Sequence, residues 1–117
     1  MKNLATLSVH SGEFRDEHGA VMPPIYATST FAQPSPCEHT GYEYSRSGNP
    51  TRHALETAIA GLEGGSRGYA FASGLAAIST VLELLDKDSH IVAIDDVYGG
   101  TWRLIENVRK RSAGLQV

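Results

Sequence analysis

The sequence predicts an α/β fold in which an extended N-terminal arm, residues 1–50, precedes the beginning of a parallel-sheet domain, residues 51–117. Two observations predict this division. All five prolines lie in the arm, where no apolar period is sustained. After the arm, helical and strand-like segments alternate, which is the order typical of a parallel sheet with right-handed crossovers. The length of 117 residues suits a single core.

The arm consists of short extended pieces, such as "IYATSTF", separated by prolines. A stretch of this length without regular structure is unusual inside a compact domain. We therefore expect the arm to pack on another surface, and a neighbouring subunit is the natural candidate.

The first helix is predicted to begin at Pro50, with Asn49 as its N-cap, and to end at Gly64 and Gly65. Its apolar residues recur at the spacing of one helical face: Leu55, Ala58, Ile59 and Leu62.

The remaining elements alternate along the chain. "GYAFA", residues 68–72, reads as a strand that runs into a helix over "SGLAAISTVLELLD". "HIVAI", residues 90–94, is the next strand, and a third helix extends from Thr101 to about Ala113, where Gly114 stops it before "LQV" begins another strand. Two strands and a stub cannot complete a parallel sheet, so the sequence predicts the N-terminal part of a larger α/β protein that needs further surface to cover it.

Composition narrows the class of partner. With 13 acidic and 10 basic residues the net charge is −3, which offers no electrostatic surface for nucleic acid or an anionic membrane. The N-terminus does not resemble a signal peptide, and no apolar run approaches the ~20 residues of a membrane span. A single cysteine, Cys37, favours a reducing compartment. We predict a cytoplasmic protein with a small-molecule partner.

"FASGLAA" carries the first candidate site. Ser73 and Gly74 stand at a strand-to-helix turn, where the N–H groups of Gly74, Leu75 and Ala76 have no partners within their own helix. Together with the Ser73 hydroxyl and the helix dipole they could bind a phosphate. For this motif alone, a helix cap that binds nothing is the more common case. The motif lacks the dinucleotide fingerprint, so it does not favour a nucleotide.

"DDVYGGTWR" follows the second predicted strand, at the edge where open α/β sheets bind ligands. Tyr98 stands next to two glycines that leave room for its ring to stack on a flat cofactor and transfer a proton. Arg103 could bind a carboxylate in a bidentate pair. The alternative is a Gly-Gly turn with Thr101 as an N-cap. Asp95 and Asp96 have no third ligand at metal spacing, so no metal site is predicted.

Four motifs in this order, "YEYSRSGNPTR", "LEGG", "FASGLAA" and "DDVYGGTWR", closely resemble the N-terminal region of the pyridoxal-phosphate-dependent transsulfuration enzymes. The family includes cystathionine γ-lyase, γ-synthase and β-lyase, methionine γ-lyase and O-acetylhomoserine sulfhydrylase. The resemblance covers nearly the whole chain. It implies an aspartate-aminotransferase-like fold, pyridoxal 5'-phosphate as cofactor, an amino-acid substrate, and a homo-oligomer built as a dimer of dimers.

The resemblance also implies residue roles. The positions of Tyr44 and Arg46 reach the cofactor phosphate of the neighbouring subunit, and Arg46 also lies near the substrate. The pair at Gly74 and Leu75 gives its backbone amides to the same phosphate.

Two further roles concern the reacting part of the cofactor. Tyr98 is implied to stack on the pyridine ring, to act as an acid or base, and to lie near the substrate. Arg103 is implied to belong to the substrate-binding groups.

The chemistry of this family requires a Schiff-base lysine. The lysines here are Lys2, Lys87 and Lys110, and none stands in the Ser/Thr-rich setting that the family uses. We therefore expect this chain alone to be an incomplete catalyst.

The motifs look most like cystathionine γ-lyase, which implies γ-elimination of cystathionine to cysteine, 2-oxobutanoate and ammonia. Cystathionine γ-synthase and O-acetylhomoserine sulfhydrylase, which catalyse γ-replacement, remain alternatives. Two alternatives outside the enzymes remain. The first is a non-catalytic fragment or docking arm, and the less favoured is a stand-alone phosphate-binding module.

Overall fold

The computed structural model describes residues 3–12 and 16–117. The chain divides into two compact units, Met1–Ala70 and Phe71–Val117. The predicted boundary between arm and domain, after residue 50, is a different division and stays a prediction. The helical elements are α1 (Leu4–His10), α2 (Pro50–Glu63), α3 (Gly74–Leu82), α4 (Gly99–Arg103), the π-helical segment π1 (Leu104–Arg109) and α5 (Lys110–Ala113).

Helix α1 lies within the arm, so the expectation that the first 50 residues contain no regular structure is wrong there. Asn3 caps this helix, since its side-chain oxygen accepts a hydrogen bond from the Thr6 N–H at 2.8 Å. Helix α1 packs on α2. Gly12, which follows α1 with a φ of +80°, makes this possible because a side chain there would collide with the Ala54 carbonyl oxygen.

The arm segment around Pro24 and Tyr26 is hydrogen-bonded to the first turn of α2 in the same chain. The Thr51 hydroxyl accepts from the Tyr26 N–H and donates to the Pro24 carbonyl, each at 2.9 Å. A short antiparallel pairing joins Thr30 and Tyr44. The arm therefore has a partner surface on α2, and contact with a neighbouring subunit stays a prediction.

Helix α2 confirms the predicted ends. Asn49 is the N-cap, Pro50 occupies the first turn, and Gly64 ends the helix in the left-handed conformation with φ 66°. The predicted apolar face is not the buried one, because Leu55 and Ile59 are 54% and 48% exposed. Small side chains on α2, at Ala54 and Ala60, are buried instead, and α1 packs on this helix.

No strand forms among the residues that the structure describes, so the predicted sheet is not confirmed. The one parallel pairing in the described part of the second unit joins His90 and Gln116. The Ile91 N–H donates to the Gln116 carbonyl at 2.8 Å, and the Gln116 N–H donates to the Ser89 carbonyl at 3.0 Å. This is the orientation predicted for "HIVAI" and "LQV". A strand requires consecutive backbone pairings with a neighbour, and within the described residues this segment has only the bridge at His90.

Helix α3 is shorter than predicted and ends at Leu82. The third predicted helix begins at Gly99, two residues before the expected Thr101, and ends at Gly114 as predicted. Its middle is π-helical, and the Lys110 N–H donates to the carbonyl of Ile105, five residues earlier.

Arg109, on π1, joins this helix to α3. Its Nη2 donates to the Ser79 hydroxyl at 3.0 Å and forms an ion pair with Glu83. Ile105 and Leu115 are buried in this unit. The arginine therefore holds the two longest helical elements of the second unit together.

Within residues 3–12 and 16–117, no helix combines the length and the apolar character needed to cross a membrane.

Candidate functional site

The N-terminus of α3 offers two free backbone donors. Ser73 is the N-cap, and its hydroxyl oxygen accepts from the Ala76 N–H at 3.1 Å. The Ala76 amide, which the sequence suggested as a phosphate donor, is therefore already used. Within the described residues no oxygen accepts from the N–H groups of Gly74 and Leu75, so these two amides and the Ser73 O–H remain able to donate to an anion.

Tyr98 is the N-cap of α4, where its carbonyl oxygen accepts from the N–H groups of Thr101 and Trp102 at 2.8 and 3.1 Å. Thr101 therefore lies inside the helix, and the alternative in which it is the N-cap is wrong. Tyr98 is 77% exposed as a residue, and its ring lies against Gly100. The backbone of this residue is fixed by the helix start, while its ring is accessible to a flat ligand.

An open cavity of about 930 Å³ in the second unit brings the predicted residues of both motifs together. Five predicted site residues line it: Ser73, Gly74, Leu75, Tyr98 and Arg103. The residues that line the cavity therefore carry two unpaired backbone amides, a phenol and a guanidinium, a donor set suited to a flat molecule that carries a phosphate and a carboxylate.

Asn107 also lines this cavity and was not among the predicted site residues. It follows Arg103 by four residues, and that spacing places both residues on one side of a helix. Once Arg103 is considered as a site residue, the helical period is a signal that could have identified Asn107.

The other two predicted residues, Tyr44 and Arg46, lie in the first unit. The Arg46 guanidinium carbon is 4.9 Å from the centre of the Tyr44 ring, which is the geometry of a cation–π contact. Arg46 is exposed, and Tyr44 is at the border of exposure. The structure thus brings this pair together, and their role toward a phosphate stays a prediction.

Neither described lysine is among the residues that line the cavity. Lys87 pairs with Asp88 at 3.7 Å and Lys110 pairs with Glu106 at 2.6 Å. Lys2 lies outside the described residues. In the described part of the chain, no three His, Cys, Asp or Glu side chains form a group that could hold a metal ion.

Comparison with known proteins assigns the class. The sequence profile of the Cys/Met metabolism PLP-dependent enzymes matches residues 5–117. The chain is 60% identical to the cystathionine beta-lyase of Coxiella burnetii over 97% of its length and 30% of that protein. It is 53% identical to the cystathionine gamma-lyase of Bacillus subtilis over 91% of its length and 28% of that protein.

Among solved structures, metB from Corynebacterium glutamicum superimposes with a TM-score of 0.90 at 44% identity. That alignment covers 99% of this chain and 31% of the other chain. The solved structure therefore contains the backbone arrangement described above as one part of a longer protein.

The chain belongs to the Cys/Met metabolism PLP-dependent enzyme family. It spans about 30% of the length of the curated relatives it matches. Pyridoxal phosphate is the cofactor of this family, and the donors at the cavity fit it. Two first-turn amides without an acceptor suit its phosphate, and an accessible tyrosine ring suits its flat pyridine.

Proposed function

We propose that this chain supplies part of the cofactor and substrate site of a transsulfuration enzyme that cleaves cystathionine by γ-elimination to cysteine, 2-oxobutanoate and ammonia. The observation that carries the proposal is the cavity itself. It gathers the free amides of Gly74 and Leu75 with Tyr98 and Arg103 on one surface of the second unit.

The N-terminus of α3 would bind the cofactor phosphate. Gly74 and Leu75 offer backbone N–H groups, and the Ser73 hydroxyl can donate its proton while its oxygen still accepts from Ala76. Hydrogen bonds to a charged group contribute about 1.5–3 kcal/mol each, so three donors form an effective anchor. The positive end of the helix dipole adds to their attraction for the phosphate.

Tyr98 and Arg103 would act on the reacting end of the ligand. The phenol ring of Tyr98 is free to stack on a pyridine, and its O–H can take or give a proton at the substrate. The Arg103 guanidinium provides two parallel donors for a substrate carboxylate.

The arm would complete a second site. We propose that Tyr44 and Arg46 bind the cofactor phosphate in a neighbouring copy of the chain, with Arg46 also near the substrate, in a homo-oligomer built as a dimer of dimers. The exposure of Arg46 and its contact with Tyr44 support this proposal, because both side chains are available on the surface of the first unit.

When bound, the cofactor withdraws electrons from the substrate and so stabilises negative charge on its carbon atoms. The residues of this chain would bind, orient and exchange protons around that centre. We do not assign the lysine that the reaction requires to Lys87 or Lys110, because each is paired with an acid and neither lines the cavity.

A second candidate is β-elimination of cystathionine to homocysteine, pyruvate and ammonia. The observation that favours it is the 60% identity with the C. burnetii protein, a cystathionine beta-lyase. γ-Replacement, as in cystathionine gamma-synthase or O-acetylhomoserine sulfhydrylase, and a non-catalytic docking fragment are further alternatives.

The test uses the product of the complete reading frame that contains residues 1–117, here called the complete protein. It is purified, supplied with pyridoxal phosphate and incubated with cystathionine, and the oxoacid product is identified. We expect 2-oxobutanoate. Pyruvate alone would establish β-elimination, product only from an activated homoserine and a thiol would establish γ-replacement, and failure to bind pyridoxal phosphate would support the non-catalytic alternative.

A further inference from the structure

Arg52 fastens the backbone that carries Tyr44 and Arg46. Its Nη1 donates to the Ser45 carbonyl at 2.9 Å, and its Nη2 donates to the Arg46 carbonyl at 3.3 Å. One planar guanidinium thus holds two consecutive carbonyls. Because Arg52 stands on the first turn of α2, these bonds connect the loop to a regular element.

Glu56, one turn further along α2, fixes the guanidinium in turn. Its Oε1 lies 3.6 Å from the Arg52 Nε and also accepts from the Ala70 N–H at 3.0 Å. The side chains of Arg52 and Glu56 are only 33% and 19% exposed. Gly68 allows this close packing, since any side chain at that position would collide with the Glu56 carbonyl oxygen.

Ser45, between the two predicted phosphate ligands, is also held from its other side. Its N–H donates to the Ser29 carbonyl at 2.9 Å, and its hydroxyl donates to the Thr28 carbonyl. The Asn49 side chain donates to the Ser45 hydroxyl at 3.0 Å. Hydrogen bonds therefore hold the Ser45 backbone on both sides. This fixes the positions of the Cα atoms from which the Tyr44 and Arg46 side chains extend.

We propose that Arg52, oriented by Glu56, is a positioning residue that presents Tyr44 and Arg46 together to a phosphate. This inference rests on the proposed function, in which those two residues bind the cofactor phosphate. The two hydrogen bonds from one planar guanidinium explain why arginine is used at position 52. A lysine ammonium is a point donor that cannot span two adjacent carbonyls in one plane. Pairing with Glu56 also offsets the charge of Arg52, which leaves Arg46 as the cation available to the anion.

The test is a double-mutant cycle in the complete protein, with the dissociation constant for pyridoxal phosphate measured by titration of the absorbance of the bound cofactor. Arg46→Gln should weaken binding about tenfold or more through loss of a charge-assisted bond. Arg52→Gln should weaken it about fivefold, and Arg52→Lys should recover only part of that loss. In the Arg46→Gln background, Arg52→Gln should weaken binding by clearly less than fivefold, because only the positioning of Tyr44 is then left to lose.

The outcomes separate the two proposals. Unchanged binding in Arg46→Gln overturns the proposed role of the arm, and this inference with it. Weakened binding in Arg46→Gln combined with unchanged binding in Arg52→Gln overturns the positioning role alone, as do fully additive effects in the double variant.

Two further variants guard against a trivial loss of structure. Glu56→Gln removes the charge that orients Arg52, so it should weaken cofactor binding by less than Arg52→Gln does. This variant tests the inference even if Arg52→Gln does not fold. Arg67→Gln, on an exposed arginine of the same unit, should leave cofactor affinity unchanged. Equal weakening in Arg67→Gln and Arg52→Gln would show that loss of any positive charge suffices, and would overturn the inference.

Discussion

The ring of Tyr98 lies over Gly100, so closely that a methyl group on Gly100 would come within 2.7 Å of the ring carbon Cε1. Gly99, its neighbour in the same helical turn, has no atom within 4 Å of the equivalent position. A side chain on Gly100 would therefore collide with the Tyr98 ring, which is proposed to bind the cofactor, whereas a side chain on Gly99 would not.

This contrast gives a matched pair of substitutions. Gly100→Ala should displace the Tyr98 ring and weaken pyridoxal phosphate binding in the complete protein by about fivefold or more, as expected for a lost stacking contact of about 1 kcal/mol. Gly99→Ala gains the same helix propensity without the collision, so its cofactor affinity should be unchanged. Titration of bound-cofactor absorbance measures both, and equal affinities would contradict the placement of the ring at the cofactor.

Loss of the α3 cap has a predicted cost in local stability. Ser73→Ala removes the acceptor for the Ala76 N–H and should destabilise α3 by about 1 kcal/mol, which accelerates amide hydrogen exchange in α3 about fivefold. Ser73→Thr retains a capping hydroxyl and should stay near the parent rate. The exposed Ser112→Ala serves as the control, and the prediction fails if α3 exchanges equally fast in all four proteins.

Helix α2 ends at Gly64 because this residue adopts the left-handed backbone conformation, not because a neighbouring atom excludes a side chain. Gly64 has φ +66° and no atom within 4 Å of an added Cβ, so Gly64→Ala should destabilise the last turn by about 1–2 kcal/mol through strain alone. Gly64→Asn should cost less, because asparagine tolerates the left-handed region. Gly65→Ala, whose added Cβ makes only an ordinary contact at 3.6 Å, is the control. Hydrogen exchange over α2 distinguishes these variants, and identical exchange in Gly64→Ala and Gly65→Ala would refute the argument.

Arg109 should contribute to stability where the neighbouring Arg111 does not. The Arg109 side chain is 16% exposed and bonds to Ser79 and Glu83, whereas Arg111 is exposed. Arg109→Ala should lower the free energy of unfolding by about 2 kcal/mol, and Arg111→Ala should change it by less than about 0.5 kcal/mol. Urea unfolding with the m-value checked for constancy measures both changes. A cost as small for Arg109 as for Arg111 would show that the contact is not stabilising.

Much of the secondary structure could be predicted because helix ends depend on local chemistry. Asn49, Pro50 and Gly64 specify the limits of α2 through side-chain capping, a fixed φ and access to the left-handed region. Gly114 ends α5 for the same reason as Gly64. The cap of α1 at Asn3 is equally local, but it lies in the arm, all of which was predicted to be extended.

The strands could not be predicted as reliably, because a strand exists only when a second segment pairs with it. Residues 90–94 have the apolar character of a buried strand, yet the described chain provides them with one parallel bridge at His90. Val92 and Ile94 are exposed because burial of their side chains requires an element packed against the face of the segment, and the described residues provide none that covers them.

For the site, the sequence alone identified the two segments whose residues line the cavity, since the small residues and hydroxyl of "FASGLAA" and the glycines beside Tyr98 are visible in the chain order. Only the tertiary structure brought Gly74 and Arg103 to one cavity and added Asn107 to its lining. It also placed the Arg52 fork on the carbonyls of Ser45 and Arg46. Capping and turn preferences act between neighbours in the chain, whereas these contacts join residues whose proximity depends on how helices and loops pack.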